Sequence, residues 1–535
     1  MYHSFLQSPV SHRRSAERGV GRGCEPCPHL KEMGACLGAR GASGATGYRS
    51  WVARSACLVA RDEACTPRKD RNGIQMRKRL TRREALAIGG ATATAAIFGG
   101  LGSARTEKRP NFLVVLTDDQ PKHTLRRGMP KVVERVAAKG MTFERGYALC
   151  PWCGPARATL LTGLCVHNHG CTDNTTHPPF HERGLDLDTV ATRLHAAGYY
   201  TGLFGKYLNG YGQRKPFYVP PGWSRWVALL HNPNQYEEVR ANVDGREVVP
   251  GLGPEYETRW MTDKTLNFIR NNAGVPWMAW YAPNSPHKTY TPTPRSEHLF
   301  DGVHPRDVPF VIERDMSDKP QWMQDLPPVD LEKARTILEG KLEELRDLDH
   351  ELGRVLTTLR DTGQRERTYV IFTTDNGYML GEHRLFHKEQ PYEESSCLPF
   401  LVRGPGIAPG SASLAFASHL DLMPTVCELA GAPQEGLDGR SLLPLFNGDT
   451  PPNWRKRLLV EHPNEGWDML REGSVAYVER DDGFRELYDL ATDPYQERNV
   501  YDAVAPEERS RLGTLLGAMK TASADELRNL EVAEA

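Results

Sequence analysis

The chain has 535 residues, 39% of them hydrophobic and 25% charged, which excludes a disordered or fibrous protein and supports a large core with one smaller additional domain. Its 67 basic and 68 acidic side chains leave a formal net charge of −1. No global attraction to nucleic acid or to a membrane surface follows from that balance, so partners must be argued from the site.

Residues 1–75 are rich in Arg and Gly, carry Cys24, Cys27, Cys36, Cys57 and Cys65, and show neither helical periodicity nor strand alternation. They read as a non-structural or mis-assigned extension, with Met76 as the true start. Cys24, Cys27, His29 and Cys36 have ligand-type side chains, but their spacing has no matching second half and zinc binding is the weaker reading. Residues 76–104 run from a basic front through Arg82-Arg83 into an apolar, small-residue stretch at 85–101 that closes on Gly102-Ser103-Ala104. That is the layout of a twin-arginine export signal, and the stretch is short and Ala/Gly-rich for a span. The expectation is cleavage near Ala104 and a secreted, periplasmic or cell-wall associated protein with no stable membrane span.

From Asn111 onward, buried-strand runs alternate with helices, the pattern of an α/β fold with a large mixed, mostly parallel sheet flanked by helices on both faces. Strands are expected at 112–116, 201–204, 277–281, 369–373 and 400–402. Helices are expected at 131–139, 157–161, 190–197, 262–270, 331–359 and 420–430; in the longest, Leu342, Leu345, Leu348, Leu352, Val355 and Leu359 recur at helical spacing as a core stripe. Segment 283–328, rich in Pro, His and aromatic residues, reads as loops walling a pocket. The catalytic domain is expected over 105–432. Strand-like runs at 458–460 and 474–478 and a helix from Pro506 indicate a C-terminal α+β subdomain over 433–535. Cys165 and Cys171 are close enough in sequence for a short-loop disulfide, with the pairing left open.

Cys153-Gly154-Pro155-Ala156-Arg157, continuing to Leu161-Thr162-Gly163, places a nucleophile, a turn and a cation at a helix mouth. Pro155 suits a first helical turn, and the free N–H groups and dipole there would depress a thiol pKa or steady an oxyanion. The plain alternative is a buried cysteine before an ordinary helix. Asp118 and Asp119 end one buried strand run, and Asp375 and Asn376 end another. These four side chains offer only oxygen ligands of hard type, which suits Ca²⁺ ahead of Mg²⁺; either pair alone would merely cap a strand end.

In order along the chain, 111–120, the Cys153 motif, Gly205-Lys206-Tyr207-Leu208-Asn209, Pro286-His287, Thr374-Asp375-Asn376-Gly377 and 398–406 resemble the sulfatase family of the alkaline phosphatase superfamily. The stretches at 116–120, 205–209, 375–378 and 401–407 look most like N-acetylglucosamine-6-sulfatases. Leu380-Gly-Glu-His383, and Lys388 followed by Tyr392-Glu-Glu-Ser, are also similar to bacterial iduronate- and choline-sulfatase relatives. The resemblance implies a Ca²⁺-dependent hydrolase of a sulfated sugar, such as N-acetylglucosamine 6-sulfate, or of an aryl sulfate. It further implies that a formylglycine-generating enzyme oxidises Cys153 before export. One hydroxyl of the aldehyde hydrate would attack sulfur, and the other would release the enzyme. Asp118, Asp119, Asp375 and Asn376, with residue 153, are the implied metal ligands. Arg157 would hold the hydrate and its metal, Lys206 and Lys388 would supply cations to the sulfuryl oxygens, and His287 would be the general acid. Lys206, His287, His383 and Lys388 are the substrate-binding candidates, His383 having packing beside the metal loop as its alternative. Two other functions stay open: a phosphonate monoester or phosphodiester hydrolase of the same superfamily, and a non-catalytic glycan-binding protein should Cys153 remain a thiol. Specificity is expected in the loops at 210–254 and 283–328.

Overall fold

Strand β1 (Asn111–Thr117) is buried along its whole length, and its two faces serve different layers. Phe112, Val114 and Leu116 pack into one hydrophobic layer and Leu113 and Val115 into the other, which is why the segment reads as a continuous apolar run. The computed structural model describes residues 109–230, 239–250, 256–305 and 312–533; the expectations for 1–75 and 76–104 fall outside the described residues. Next in chain order come α1 (Pro130–Arg135), β2 (Met141–Tyr147), α2 (Cys153–Thr162), α3 (Val190–Ala196), β3 (Tyr200–Gly205), β4 (Arg225–Leu229), α4 (Glu257–Asn271), β5 (Trp277–Ala282), α5 (Leu331–Asp361), β6 (Thr368–Thr374), β7 (Leu401–Arg403), β8 (Ser411–Ser418) and α6 (Leu422–Ala430).

β1 lies between β6 and β5 and is parallel to both, and β3 and β4 continue the parallel set in the order β6-β1-β5-β3-β4. β7 runs antiparallel to β6 and β2, while β8 pairs with β2 in parallel. The sheet is therefore mixed and mostly parallel. Residues of α2, α3 and α6 fill the layer of Phe112, and residues of α1, α4 and α5 fill the layer of Leu113. Because β1, β3, β5 and β6 are parallel, their C-terminal ends share one edge of the sheet, where such folds bind ligands.

Helix 331–359 extends to Asp361, started by the Asp330 carboxylate, which accepts from the N–H groups of Glu332 and Lys333. The expected helix at 131–139 is instead interrupted: α1 stops at Arg135, Val136 bends the chain, and a 3₁₀ turn (Ala137–Lys139) follows. The turn ends at Gly140, where a Cβ would sit 2.3 Å from the Val402 carbonyl oxygen. The sequence reading has no strand at β2 or β8; Glu144 in β2 and Leu414 in β8 are exposed, so neither segment shows the unbroken buried run of the central strands. Within 283–328 the described residues contain one α-helical turn (Gln321–Gln324). No described helix is long and apolar enough to cross a membrane.

Strands β9 (Arg457–His462), β10 (Trp467–Glu472), β11 (Val475–Arg480) and β12 (Arg485–Asp489) form an antiparallel meander. Helices α7 (Pro506–Met519) and α8 (Ala524–Val532) pack in the same core, which also takes in Tyr147, Leu149 and Cys165. Two polar clamps reinforce this junction. Arg455 reaches Asp421 at 2.6 Å and Glu531 at 3.2 Å, all three side chains being essentially inaccessible. His167 donates from Nδ1 to the Glu461 carboxylate at 2.9 Å and from Nε2 to the Ala522 carbonyl at 2.8 Å. Cys165 lies near enough to His167 and Glu461 for a shared metal, yet both ring nitrogens are already engaged. Cys165 and Cys171 are free thiols, so the short-loop disulfide does not form here; both side chains are buried, and Cys171 faces the His169 carbonyl rather than Cys165.

Arg455→Met strips Asp421 of its buried cation and should lower stability by about 3 kcal/mol, measured by denaturant unfolding; a loss under about 1 kcal/mol would show that the cluster is not sealed. For His167, burial opposes the charged ring but the Glu461 carboxylate outweighs it, and the pKa is raised. The stabilisation is thus full below the unfolded value near 6.5 and fades as pH climbs through the higher folded one. The stability gap between wild type and His167→Gln should be larger at about pH 6 than at about pH 9, and a pH-independent gap contradicts the imidazolium clamp.

Candidate active site

Thr117 and Thr374 are register partners in β1 and β6, so Asp118-Asp119 and Asp375-Asn376 leave the sheet side by side. The Asp375 N–H donates to the Thr117 carbonyl at 3.1 Å, and the Asp119 N–H donates to Asp375 Oδ1 at 3.1 Å. Asp119 adopts φ +61°, a conformation an L-residue enters at a cost and keeps only when its surroundings hold it. Asn376 Nδ2 donates to Asp119 Oδ1 at 2.8 Å.

Cys153 is the first residue of α2, behind an extended Trp152. Its Sγ lies 3.5 Å from Asp118 Oδ1, 3.7 Å from Asp119 Oδ1 and 2.9 Å from Lys388 Nζ. Gly154 is required beside it, since a Cβ there would sit 2.1 Å from Thr176 Oγ1. Arg157, one turn along the same face, donates from Nε to Asp375 Oδ2 at 2.9 Å, from Nη2 to Asp118 Oδ2 at 3.3 Å and from Nη1 to the Lys206 carbonyl at 2.9 Å. Its hydrogen bonds thus go to the two carboxylates and to the end of β3, which makes it a brace for the acids.

Lys206 follows Gly205, where β3 and β5 converge so closely that a Cβ would lie 1.9 Å from the Ala282 carbonyl oxygen. Its Nζ contacts Asp118 Oδ2 at 2.5 Å. Lys388 stands between His387 (φ 82°) and Glu389 (φ 79°), two left-handed residues, and pairs with both Asp119 and the Cys153 sulfur. His287 Nδ1 donates to the Lys288 carbonyl at 2.7 Å, which leaves Nε2 facing Asp119 Oδ2 at 3.7 Å. At 15% side-chain exposure His287 is the most solvent-near member of the group.

His383 is not brought into this group, contrary to its expected place beside the substrate. It is buried with Nδ1 2.5 Å from Glu313 Oε2, stacks on Tyr392 at 3.9 Å, and lines a small acidic pocket with Glu382 and Glu394. The structure therefore gives it the packing role. One residue absent from the sequence reading does reach the group: Lys341 of α5, whose Nζ lies 2.8 Å from the Asp119 carbonyl oxygen. Its signal was a lysine three residues after Leu338 and four before Leu345, on the core face of an amphipathic helix.

Burial alone would push Asp118 up, but Lys206, His287 and Arg157 outweigh it and hold the carboxyl well below its usual range. Asp119 is likewise held down against burial, by Lys388, His287 and Lys341. Asp375 is raised by burial and by Asp118. The helix-mouth expectation of a depressed thiol is reversed: burial and then Asp375 push the Cys153 thiol well above its ordinary value. As a thiol, Cys153 would be protonated and a weak nucleophile.

Asp118, Asp119, Cys153 and Asp375 place ligand atoms all within 4.8 Å of one another, and the buried Asn376 Oδ1 has no hydrogen-bond partner. Three carboxylates and an unspent amide oxygen fit a hard divalent cation.

The sulfatase family model matches residues 110–432, and a second, described as N-sulphoglucosamine sulphohydrolase, C-terminal, matches residues 381–516. An arylsulfatase of Volvox carteri is 30% identical over 505 residues, covering 81% of this chain and 78% of its own length. The N-acetylglucosamine-6-sulfatase of Homo sapiens is 29% identical over 484 residues, 79% of this chain and 87% of that one. An extracellular sulfatase SULF-1 homolog of Drosophila melanogaster is 33% identical over 67% of this chain, which spans 33% of that longer protein. A solved structure in complex with its substrate D-glucosamine-2-N,6-O-disulfate aligns with TM-score 0.64 and 25% identity, covering 77% of this chain and 97% of that one. A phosphonate monoester hydrolase from Silicibacter pomeroyi shares the fold, with TM-score 0.61 and 24% identity over 77% and 94% of the two chains. With the family model spanning the segment that bears every one of these clustered side chains, the chain belongs to the sulfatase family of sulfuric ester hydrolases.

Proposed function

We propose that the protein cleaves the sulfate ester of a sulfated sugar, with residue 153 acting as formylglycine and Ca²⁺ held by Asp118, Asp119, Asp375 and Asn376. The observation that carries this reading is the meeting of Cys153 Sγ with Asp118, Asp119 and Lys388 inside one buried cluster. Relatives named N-acetylglucosamine-6-sulfatase, and a structural neighbour bound to a sulfated glucosamine, support the sugar class. Burial and Asp375 raise the pKa of the unmodified thiol and make it a poor nucleophile, whereas an aldehyde hydrate would attack through a hydroxyl instead.

When bound, Ca²⁺ would supply Lewis-acid stabilisation of negative charge on the oxygens around sulfur. The protein's own groups do the rest. Arg157 keeps Asp118 and Asp375 in place. Lys206 on the Asp118 side and Lys388 on the Asp119 side offer ammonium groups to the sulfuryl oxygens as charge shifts onto them. If residue 153 carries the aldehyde hydrate, one of its hydroxyls would supply the nucleophile for sulfur, and His287, with Nδ1 held by the Lys288 carbonyl and a second proton on Nε2, can give that proton to the leaving alcohol oxygen. The second hydroxyl would supply the release route: with its proton taken by a base, a part His287 can fill once it has given up its own, the carbonyl would re-form and sulfate would leave, a route closed to serine or an unmodified cysteine. The basic and small-residue pattern of 76–104 supports twin-arginine export, which would let a formylglycine-generating enzyme act before the folded protein leaves the cytoplasm.

Cys153→Ala should lower turnover of an aryl sulfate by at least about 1,000-fold while costing about 1 kcal/mol of stability, and mass spectrometry of the wild-type peptide should show the aldehyde. Activity of the variant close to wild type would refute the nucleophile. Faster turnover of an aryl phosphodiester than of the aryl sulfate would favour the phosphonate or phosphodiester hydrolase reading.

A further inference from the structure

Lys341 is a charged side chain in the middle of a 31-residue helix, fully buried. A lysine in such a place is costly unless its three donors are used. Its Nζ donates to the Asp119 carbonyl at 2.8 Å and to the Pro286 carbonyl at 3.1 Å, and it stands 3.9 Å from the centre of the Tyr378 ring. Those three partners belong to three different segments. Asp119 follows β1, Pro286 immediately precedes His287, and Tyr378 is two residues beyond Asn376.

We infer that Lys341 is a positioning residue that sets the carboxylate of Asp119 and the imidazole of His287 in one frame. Asp119 has φ +61°, so the direction of its side chain depends on what fixes its peptide groups. Its N–H is fixed by Asp375 Oδ1, and its carbonyl is fixed by Lys341. With both ends held, the Asp119 carboxylate meets Asn376, Lys388 and His287 together. The same ammonium holds the carbonyl next to His287, so one rigid helix sets the distance between the metal-ligand side and the leaving-group side of the site.

Neighbouring groups of α5 show the contrast. Glu344 accepts from the Thr291 N–H at 2.9 Å and Asp347 from the Thr293 N–H at 2.7 Å, so the helix anchors that loop further along without Lys341. A Cβ on Gly340 would lie 2.5 Å from the Tyr290 side chain, so loop and helix are in close contact before any lysine is considered. What Lys341 adds is the link across to Asp119.

The inference rests on the proposed sulfatase reading, and its test separates the two. Wild type, Lys341→Met and Lys341→Arg, produced alongside a formylglycine-generating enzyme, are assayed on an aryl sulfate and, after chelation, titrated with Ca²⁺ by calorimetry. Displacing reacting groups by the order of an ångström costs up to about 100-fold in rate. The Met variant should therefore lose about 10- to 100-fold in kcat with KM within about threefold, and bind Ca²⁺ about tenfold more weakly. The Arg variant keeps N–H donors for both carbonyls and should recover kcat and Ca²⁺ affinity to within about threefold of wild type. A folded Met variant with wild-type kcat and Ca²⁺ affinity overturns the inference, as does a folded Arg variant no better than Met. Should the Met variant fail to fold, the Arg variant decides alone, a loss beyond about tenfold counting against. If wild type itself does not turn over sulfate esters, the functional reading fails, and the Ca²⁺ titrations still decide the role of Lys341.

Discussion

Asp118, Asp119 and Asp375 are buried together at the ends of two adjacent parallel strands, and the site depends on keeping that like charge in place. With ligand atoms within 4.8 Å, a pair of carboxylates at an effective dielectric of about 20 repels by about 3 kcal/mol. Burial adds a desolvation cost to each. The protein meets this by delivering cations from separate parts of the fold: Arg157 from α2, Lys206 from the end of β3, Lys388 from a left-handed segment after β6, and Lys341 from α5. Elements distant in sequence converge on this edge because the acids there require them.

The same balance explains the behaviour of the nucleophile position. At Cys153, burial first, then Asp375 and Asp118, outweigh the pull of Lys206 and Lys388 and disfavour a thiolate despite the helix start. A neutral hydroxyl-bearing group suits that environment better than a soft anion. Ala156 is wholly buried in α2, and its own N–H is bonded to the Trp152 carbonyl, so alanine sits in an intact first helical turn. The family resemblance at Cys153, Pro155 and Arg157 therefore meets no local obstacle in the fold.

Much of this was legible in the sequence for a simple reason. A buried parallel strand is a bare apolar run, and when it ends in acids the run and the acids sit next to each other in the chain, as at 112–119 and 369–376. Lys206 and His287 stand out in the sequence only through the order of the 205–209 and Pro286-His287 segments in the family resemblance; taken alone, each would read as an ordinary lysine or histidine. For His383, motif order fixes proximity along the chain but not direction: the ring, on a left-handed residue at φ 53°, meets Glu313 and not Asp118, Asp119 or Asp375. Lys341 falls between Leu338 and Leu345 on the core stripe of α5, so its inward direction is legible in the helical spacing, but the partners that use its ammonium, the Asp119 and Pro286 carbonyls, lie in segments far away in sequence. Strands β2 and β8 escaped notice because each carries exposed residues that break the apolar run.

The C-terminal meander is part of the active site's support. Lys388 can turn inward only because His387 and Glu389 occupy left-handed conformations, and such conformations persist where flanking contacts over-determine them. His387 bonds through Nδ1 to the Tyr378 hydroxyl at 2.9 Å. On the other flank, the Glu389 N–H donates to the Pro151 carbonyl at 3.2 Å and its carbonyl accepts from the Trp467 indole at 2.9 Å. Lys388 is thus held between the turn that leads into Cys153 and the first residue of β10. The lysine nearest the nucleophile owes its direction to a sheet that contributes no ligand of its own. The same strands also share a hydrophobic core with Tyr147 and Cys165, so the packing that holds them holds the flank of Lys388 as well.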